Sequence, residues 1–213
     1  MLKANKKTLI ITSILTILPT LIGLYFWNRL PDVMATHFGI DNRANGFSSK
    51  IVAVLGIPLL CLAILWAGAM LTANDPRKQN ISPKMYSLGL WVAPIVSLIA
   101  AATIYPVNLG YAVDISFVGG LTVGMILIII GNYAPKARQN YTIGIKLPWT
   151  LANEENWNRT HHFAGYLWMI CGILMVTLAL FSALQPSLMI ALMVIIVLLP
   201  FGYSFWLHAR KSL

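Results

Sequence analysis

The stretch IVAVLGIPLLCLAILWAGAMLT, residues 51–72, contains no charged side chain. An α-helix rises about 1.5 Å per residue, so a run of this length reaches across the ~30 Å hydrocarbon layer of a bilayer. In lipid a helix pairs its own backbone polar groups, and this stretch therefore predicts a membrane-spanning helix. Similar apolar runs occupy residues 8–27, 86–105, 114–130, 163–184 and 187–207. The sequence predicts six spans.

The composition supports the same class of protein. The chain has 213 residues, of which 58% are hydrophobic and only 10% charged, whereas soluble domains are about 25% charged. We therefore expect an all-α integral membrane protein with six transmembrane helices. The net charge of +9 could indicate nucleic-acid binding, but the charges fall between the apolar runs, so no direct contact with nucleic acid is expected. Cys61 and Cys171 lie inside apolar runs and read as small hydrophobic side chains.

The distribution of Lys and Arg predicts the orientation. The N-terminus, the second and fourth loops and the C-terminus carry most of these residues, and the other side carries only Arg29, Arg43 and Lys50. By the positive-inside rule both termini are cytoplasmic. Lysines also precede the first run, as in a signal peptide, but that run exceeds the ~7–15 residues of a signal core and is kept as a span.

Few polar groups interrupt the spans. Pro19, Pro58, Pro94 and Pro200 are expected to kink or locally break their helices. The small-xxx-small spacing of Gly120 and Gly124 predicts close approach of another helix, with dimerisation through it as the alternative. No Lys, Arg, Glu or His lies deep in a span, and Asp114 sits at the outer end of the fourth, which argues against a proton- or ion-coupled transporter.

The loop between the first two spans reads NRLPDVMATHFGIDNRANGFSSK, residues 28–50. Val33 and Met34 are suited to a short strand, and Asn45-Gly46 favours a tight hairpin turn, with Asp41-Asn42 as a second turn former. We predict a small folded extracellular cap, in the form of a two-stranded hairpin.

Two kinds of side chain in this loop have specific expected roles. As a ligand or pH-sensitive group His37 would need partners, for which Asp32 or Asp41 could serve, but one His and two Asp do not form a convincing metal site. A structural hydrogen bond is therefore the expected role of His37. Phe38 and Phe47 are expected to anchor the cap at the membrane interface.

The loop between the fourth and fifth spans, residues 132–162, is predicted to be a structured cytoplasmic loop. Residues 141–145 alternate in the manner of a short extended segment. A helix is expected to begin at Pro148 with Thr150 as its N-cap, and to run unbroken into the fifth span. The loop at residues 73–84 holds a turn followed by positive charge and is interpreted as a topological anchor.

The same inner loop contains side chains that could belong to a catalytic or metal site. Glu154, His161 and His162 are the candidates, but adjacent histidines point about 100° apart on a helix and no H-E-x-x-H spacing occurs. We therefore expect no enzyme activity, metal or cofactor. Trp149 and Trp157 are interpreted as interfacial anchors.

A family resemblance lies in these same residues. Residues 131–168, GNYAPKARQNYTIGIKLPWTLANEENWNRTHHFAGYLW, resemble the signature region of the SdpI family. The matching positions of the inner loop are Gly131, Asn132, Asn140, Gly144, Lys146, Pro148, Trp149, Thr150, Trp157 and His161. The outer loop resembles a domain of unknown function that often precedes that region, with matches at Leu30, Pro31, His37, Gly46 and Lys50. Ala35 and His162 depart from the pattern, where Pro and Arg are common.

The resemblance implies two regions and a function. Residues 1–110, with outer loop 28–50, would form an N-terminal membrane region, and residues 111–213, with inner loop 132–162, the SdpI-like region. The implied function is that of a bacterial plasma-membrane immunity protein that gives resistance to a secreted killing peptide. It would also act as a receptor that draws a cytoplasmic repressor to the membrane.

The candidate sites follow from the two loops. The expected toxin-facing residues of the outer side are Pro31, His37, Phe38, Arg43, Gly46, Lys50 and Asp114. The inner-loop residues Asn132, Asn140, Gly144, Lys146, Pro148, Trp149, Thr150, Trp157 and His161 are the expected partner-binding set. A small transporter or exporter of peptide or lipid remains the alternative. It would need a polar path between the spans, and the sequence offers only scattered Ser and Thr there.

Overall fold

The computed structural model describes residues 1–39 and 42–211. In this part of the chain six helices are long and apolar enough to cross a membrane, which confirms the predicted number of spans. They are α1 (Lys6–Tyr25), α2 (Ile57–Ala73), α3 (Pro83–Asn108), α4 (Ile115–Tyr133), α6 (Glu154–Leu180) and α7 (Pro186–Lys211). The other elements are the strands β1 (Val33–Phe38) and β2 (Ala44–Ser49), the short helix α5 (Pro148–Ala152), a π-helical turn (Val52–Gly56) and 3-10 turns at Lys3–Asn5, Lys78–Asn80 and Ala134–Lys136.

The chain divides into two compact units. The first comprises Met1–Ala73 and Tyr86–Ile115, and the second comprises Asn74–Met85 and Ser116–Leu213. In the first unit a core cluster forms around the buried side chains of Leu30, Met34, Ala53, Val54, Ala101, Ile104 and Tyr105. In the second unit a smaller core forms from Leu127, Cys171, Met175, Leu192 and Ile196. Cys171 is thus one of several packed apolar side chains, as its position in the sequence predicts.

The predicted two-stranded hairpin is present, but its turn lies elsewhere. β1 and β2 pair antiparallel, and the chain reverses between Gly39 and Arg43, where the Gly39 amide donates to the Arg43 carbonyl at 2.7 Å. Asn42 occupies the left-handed region at φ 61°, a conformation that Asn tolerates. Of the second turn former, Asn42 is therefore in the turn, and Asp41 lies outside the described residues.

Asn45-Gly46, predicted as the turn, belongs to strand β2. The register between the strands shifts on both sides of the His37–Gly46 pair, which marks a β-bulge. A Cβ placed on Gly46 would lie 2.7 Å from the His37 Cβ, so the glycine permits a close cross-strand approach. The same residue that favours a tight turn in sequence serves here to admit a neighbouring side chain.

Two of the prolines in the spans expose carbonyls that other helices then satisfy. Pro58 follows a π-helical turn at Val52–Gly56 and cannot donate to the carbonyl of Val54, which instead accepts the Thr20 hydroxyl of α1 at 3.1 Å. Pro200 likewise leaves the Ile196 carbonyl of α7, which accepts the indole N–H of Trp168 in α6 at 2.9 Å. Helices α1, α3 and α7 continue through Pro19, Pro94 and Pro200 as single elements.

Helices α4 and α6 approach each other through glycines, as the spacing of Gly120 and Gly124 predicts. A Cβ on Gly124 would lie 2.9 Å from the Gly172 carbonyl oxygen, and one on Gly131 would lie 2.7 Å from that of Gly165. Gly120 faces Ala179 in the same interface. Without side chains between them the two backbones reach van der Waals contact, which drives helix association in lipid where no hydrophobic effect operates.

We predict that Gly124→Ala destabilises the protein by about 1–3 kcal/mol, because the added methyl group enters a filled space. Gly202→Ala is the matched control, since its Cβ meets no atom within 4 Å and alanine is the better helix former. Thermal unfolding of the detergent-solubilised variants measures the difference. Equal midpoints for the two variants would contradict the close packing of α4 on α6.

Candidate functional site

A lobe of polar contacts forms from two separate loops of the second unit. We call it the polar lobe; it comprises residues 74–82 and 137–161. The loop at residues 73–84, interpreted from sequence as a topological anchor, contributes Asp75, Arg77 and Asn80 to this lobe. Its polar side chains hold the backbone of the longer loop, so it has a structural role that its charge pattern did not indicate.

Asp75 is the centre of the contact between the two loops. Its side chain is 3% exposed. One carboxylate oxygen accepts the amide of Arg77 at 2.7 Å, and the other accepts the Tyr141 amide at 2.9 Å and the Thr142 hydroxyl at 2.8 Å. Hydrogen bonds to a carboxylate are stronger than those between neutral groups, which offsets the cost of burying the charge.

Gln139 extends this contact toward α5. Its amide nitrogen donates to the carbonyls of Thr150 and Leu151, at 2.8 and 2.9 Å, and its amide oxygen accepts from the Arg77 guanidinium. The Gln139 carbonyl accepts the Asn80 side chain at 2.7 Å. Gln139 therefore links the C-terminal end of the short helix to the other loop.

Asn140 shapes the segment that the sequence predicted to be extended. Its side-chain oxygen accepts the amides of Thr142 and Ile143, and its NH₂ group donates to the carbonyls of Arg138 and Ile143, all within 2.6–2.9 Å. These bonds fold residues 140–143 into a tight bend, so the predicted extended segment is wrong. The local side chain offers the backbone a better set of partners than an unpaired strand.

His161 and Trp157 form the interior of the lobe, and the exposed Gly144 lies against them. The imidazole Nε2 of His161 accepts the Ile145 amide at 2.9 Å, and its Nδ1 donates to the Trp157 carbonyl at 2.7 Å, which defines the neutral Nδ1–H tautomer. The two rings stack at 4.1 Å between centroids. Gly144, at φ +126°, lies on them, and a Cβ there would come within 2.5 Å of the His161 Nε2.

The prediction that Trp157 anchors the protein at the membrane interface is wrong. Its side chain is fully buried, and its indole N–H donates to the Ala137 carbonyl at 2.7 Å. A buried indole needs such a partner, and the loop that folds over α6 supplies it.

The predicted role of Thr150 is also wrong, although its position at a helix start is correct. Leu147 is the N-cap of α5, and Thr150 is the third residue, whose hydroxyl accepts the Leu147 amide at 2.9 Å and donates toward the Ile145 carbonyl at 2.8 Å. Helix α5 does not continue into the fifth span, because Asn153 adopts an extended conformation that ends α5 before α6 begins. Asn153 caps α6 by accepting the Asn156 amide at 2.9 Å.

Trp149 fastens α5 to α7. Its indole N–H donates to the Ser204 hydroxyl at 2.7 Å, and that hydroxyl donates to the Asn156 side chain at 3.0 Å. The indole ring stacks on His208 and meets Phe201 and Phe205 edge-on. Trp149 is half-buried, so one part of the ring fixes the helix and another part reaches the surface.

Apart from the half-buried Trp149, the predicted partner-binding residues fall into two groups. The structure brings Asn140, Gly144, Thr150, Trp157 and His161 together in the polar lobe, where all but the exposed Gly144 are buried. Asn132, Lys146 and Pro148 are exposed, and the Lys146 ammonium donates to the Thr142 carbonyl at 3.1 Å. Within the described residues, no group of three or more His, Cys, Asp or Glu side chains is arranged to hold a metal ion.

The hairpin of the first unit is held by polar contacts of its own. The side-chain amide of Asn108, at the end of α3, pairs with both the N–H and the C=O of Ala35, at 2.8 and 2.9 Å. This arrangement continues the strand pairing on the open edge of β1. Lys50 forms a salt bridge of 3.0 Å with Asp32, and its ammonium lies 5.3 Å from the centre of the Trp27 ring.

The predicted outer residues are distributed around this hairpin. His37 makes the expected structural hydrogen bond, and its partner is the Asn45 side chain. Phe38 packs on the core of the first unit and Phe47 is 61% exposed. The remaining positions are an exposed Pro31 before β1, an exposed Arg43 after the turn, Gly46 opposite His37 and an exposed Asp114, which accepts the Asn42 side chain at 3.4 Å.

Three residues that hold the polar lobe and the hairpin together were not predicted from the sequence: Asp75, Gln139 and Asn108. Each makes two or more hydrogen bonds to backbone groups. Asp75 carries one detectable signal, since it is an acidic residue in a segment otherwise rich in Lys and Arg. Gln139 and Asn108 carry no local signal, because their partners are set by how the chain folds back.

We predict that Asn140→Asp destabilises the protein by about 3 kcal/mol or more. The change keeps the shape of the side chain but removes both donors and places a buried carboxylate against the carbonyls of Arg138 and Ile143. The exposed Asn132→Asp is the matched control and should lie within about 0.5 kcal/mol of the parent. Unfolding by heat and limited proteolysis of the loop measure both; a stable Asn140→Asp protein would contradict this account of the bend.

Comparison with known proteins gives two family matches. The family model of the SdpI/YfhL protein family matches residues 136–204, and that of a domain of unknown function, DUF1648, matches residues 14–62. The Bacillus subtilis (strain 168) protein named Immunity protein SdpI is 29% identical over 193 residues, which cover 91% of this chain and 90% of that protein. No solved structure matches. These matches cover the hairpin region and the longer loop of the polar lobe, and in both the chain is similar to members of the SdpI family.

Proposed function

We propose that this chain is a bacterial membrane immunity protein, which gives its cell resistance to a secreted killing peptide. The observation that carries the proposal is the similarity to Immunity protein SdpI over 91% of the chain. The two family models add matches at residues 14–62, which contain the hairpin, and at residues 136–204, which contain the longer loop of the polar lobe. The protein would act without catalysis, by recognition.

The hairpin is the proposed side for meeting the peptide. In the orientation predicted from the Lys and Arg distribution, β1 and β2 lie outside the cell. His37 and Arg43 are exposed on this hairpin, and Asp114 is exposed beside Asn42 of the turn. A structural role is proposed for Gly46, Phe38 and Lys50, because their contacts maintain the shape of the hairpin. The proposed peptide-contacting residues are therefore His37, Arg43, Pro31 and Asp114.

The polar lobe is the proposed side for a cytoplasmic partner. Its rigid interior, built around Asp75 and Asn140, presents the exposed Lys146 and Pro148 and the half-exposed Trp149. A topological anchor needs only positive charge, whereas this lobe also contains many internal hydrogen bonds. We take these bonds to favour a signalling role, in which the lobe holds a repressor protein at the membrane. The buried Thr150 and His161 would not contact such a partner. They would affect its binding indirectly, by maintaining the shape of the surface that it contacts.

A transporter or exporter of peptide or lipid is the second candidate. It would need a polar path through the spans, whereas the hydroxyls of Thr12, Ser13 and Thr16 in α1 bond to carbonyls of their own helix. Such back-bonded hydroxyls are satisfied locally and offer little to a substrate. Genes for a small secreted peptide and a repressor beside this one would favour the immunity role.

We predict that the hairpin faces outward. Ser49→Cys, exposed on β2, should react with a membrane-impermeant maleimide added to intact cells, while Lys146→Cys should react only after the cells are opened. The parent protein, with Cys61 and Cys171 inside the spans, gives the background. If Lys146→Cys reacted in intact cells and Ser49→Cys reacted only after the cells were opened, the orientation would be inverted.

The immunity role predicts a division between the two faces. In a sensitive cell that expresses the protein and is challenged with the killing peptide, His37→Gln and Arg43→Gln should each lower the tolerated dose about tenfold, the effect of one lost polar contact. Lys146→Gln should leave the tolerated dose unchanged. Immunoblots of membrane fractions establish equal amounts of each variant.

The result has two outcomes that would count against the proposal. If the parent protein gave no protection against any candidate peptide, the immunity role would be wrong. If Lys146→Gln lowered protection as far as Arg43→Gln did, recognition of the peptide would not lie on the hairpin.

A further inference from the structure

Two lysines of the second unit converge on one tyrosine. The Lys136 ammonium lies 4.9 Å from the centre of the Tyr133 ring, and the Lys84 ammonium lies 5.4 Å from it. Both ammonium groups lie near one ring centre, so they are at most about 10 Å apart, which is close to the screening length of about 8–10 Å at 0.10–0.15 M salt. The lysines come from different segments, so tertiary folding brings them together.

The charge of this pair is not balanced by the protein. In the described part of the chain, neither Lys84 nor Lys136 makes a salt bridge with a carboxylate. Both side chains are exposed, and Tyr133 is half-buried between them. Weak attraction to the face or edge of one ring, about 0.5–1 kcal/mol at an exposed site, orients the lysines but leaves two positive charges for an anion.

The position of the pair indicates which anion. Lys84 is the second residue of α3, and Lys136 ends the 3-10 turn that follows α4. Both therefore stand at the ends of membrane spans, at the depth of lipid headgroups. One and two turns earlier on α4, the apolar side chains of Ile130, Ile129 and Met125 are 43–49% exposed and lie at the depth of acyl chains.

We propose that Lys84, Tyr133 and Lys136 form a binding site for the headgroup of an anionic phospholipid. The phosphate would lie between the two ammonium groups, and the acyl chains would run along the exposed apolar side chains of α4. Basic groups at the ends of membrane helices provide this kind of recognition for anionic lipids. The site is independent of the proposed immunity function and would fix the depth of the polar lobe at the membrane surface.

Binding of short-chain phosphatidylglycerol to the detergent-solubilised protein tests the site. Each of Lys84→Gln and Lys136→Gln should weaken binding about fivefold, and the double variant about 25-fold, since each lysine contributes a similar electrostatic share. Phosphatidylcholine of the same chain length should bind much more weakly to the parent. Lys84→Arg with Lys136→Arg keeps both charges and should retain binding, which separates loss of the site from loss of the fold.

Lys6→Gln with Lys7→Gln is the control, because it removes the same charge from another helix end. This control should change phosphatidylglycerol binding less than twofold. Equal weakening in the two double variants would show attraction to overall charge and overturn the site. Equal binding of phosphatidylcholine, or binding of inorganic phosphate as tight as that of phosphatidylglycerol, would overturn an anionic lipid as its ligand.

Discussion

Lipid offers no hydrogen-bond partner, so each polar group of the spans must find one within the protein. The prolines make this constraint visible. Pro58 and Pro200 leave the carbonyls of Val54 and Ile196 without their helical donors, and side chains of other helices take the vacant role. A residue that weakens a single helix thereby links two: α1 to the turn before α2, and α6 to α7. The close glycine contact of α4 with α6 serves a different purpose, because it allows van der Waals packing between bare backbones that side chains would otherwise separate.

The same requirement governs the polar lobe, where helices and strands supply few of the bonds. Asp75, Asn140, Thr150 and His161 are each at most 3% exposed, and each bonds to backbone groups of the loop. Among the described residues no buried side-chain nitrogen or oxygen lacks a hydrogen bond. Side chains thus replace regular secondary structure as the partners of the backbone, and a loop of irregular shape becomes rigid.

This construction separates residues that build a surface from residues that can touch another molecule. Of the inner-loop motif, the buried members hold the chain in place, while Lys146, Pro148 and part of Trp149 reach the surface. The hairpin shows the same separation. Gly46 and Lys50 hold its strands and ends, and His37 and Arg43 are exposed. In this chain the motif therefore determines mainly a shape, and a few of its residues are exposed on the surface of that shape.

Local physical chemistry explains what the sequence alone determined. An apolar run must reach the thickness of the bilayer, so the number of spans follows from length and hydropathy. Local preferences also predicted a paired strand at Val33, a tight helix contact at Gly124 and a structural hydrogen bond for His37. Each of these depends on a property of one short segment.

Tertiary structure decided the roles that depend on distant partners. Asp75 bonds to an amide 66 residues further along the chain, and the Trp149 indole bonds to a hydroxyl 55 residues away. In the sequence Trp157 has the character of an interfacial anchor, but in the fold a loop covers it and supplies a carbonyl to its indole N–H. Asn45-Gly46 has the sequence of a turn, but in the fold it lies in a strand with His37 opposite the glycine. Secondary-structure preferences are summed over neighbours in sequence, whereas hydrogen bonds and burial are set by neighbours in space. For that reason the spans could be predicted from the sequence, whereas the architecture of the hairpin and of the polar lobe depended on the tertiary structure.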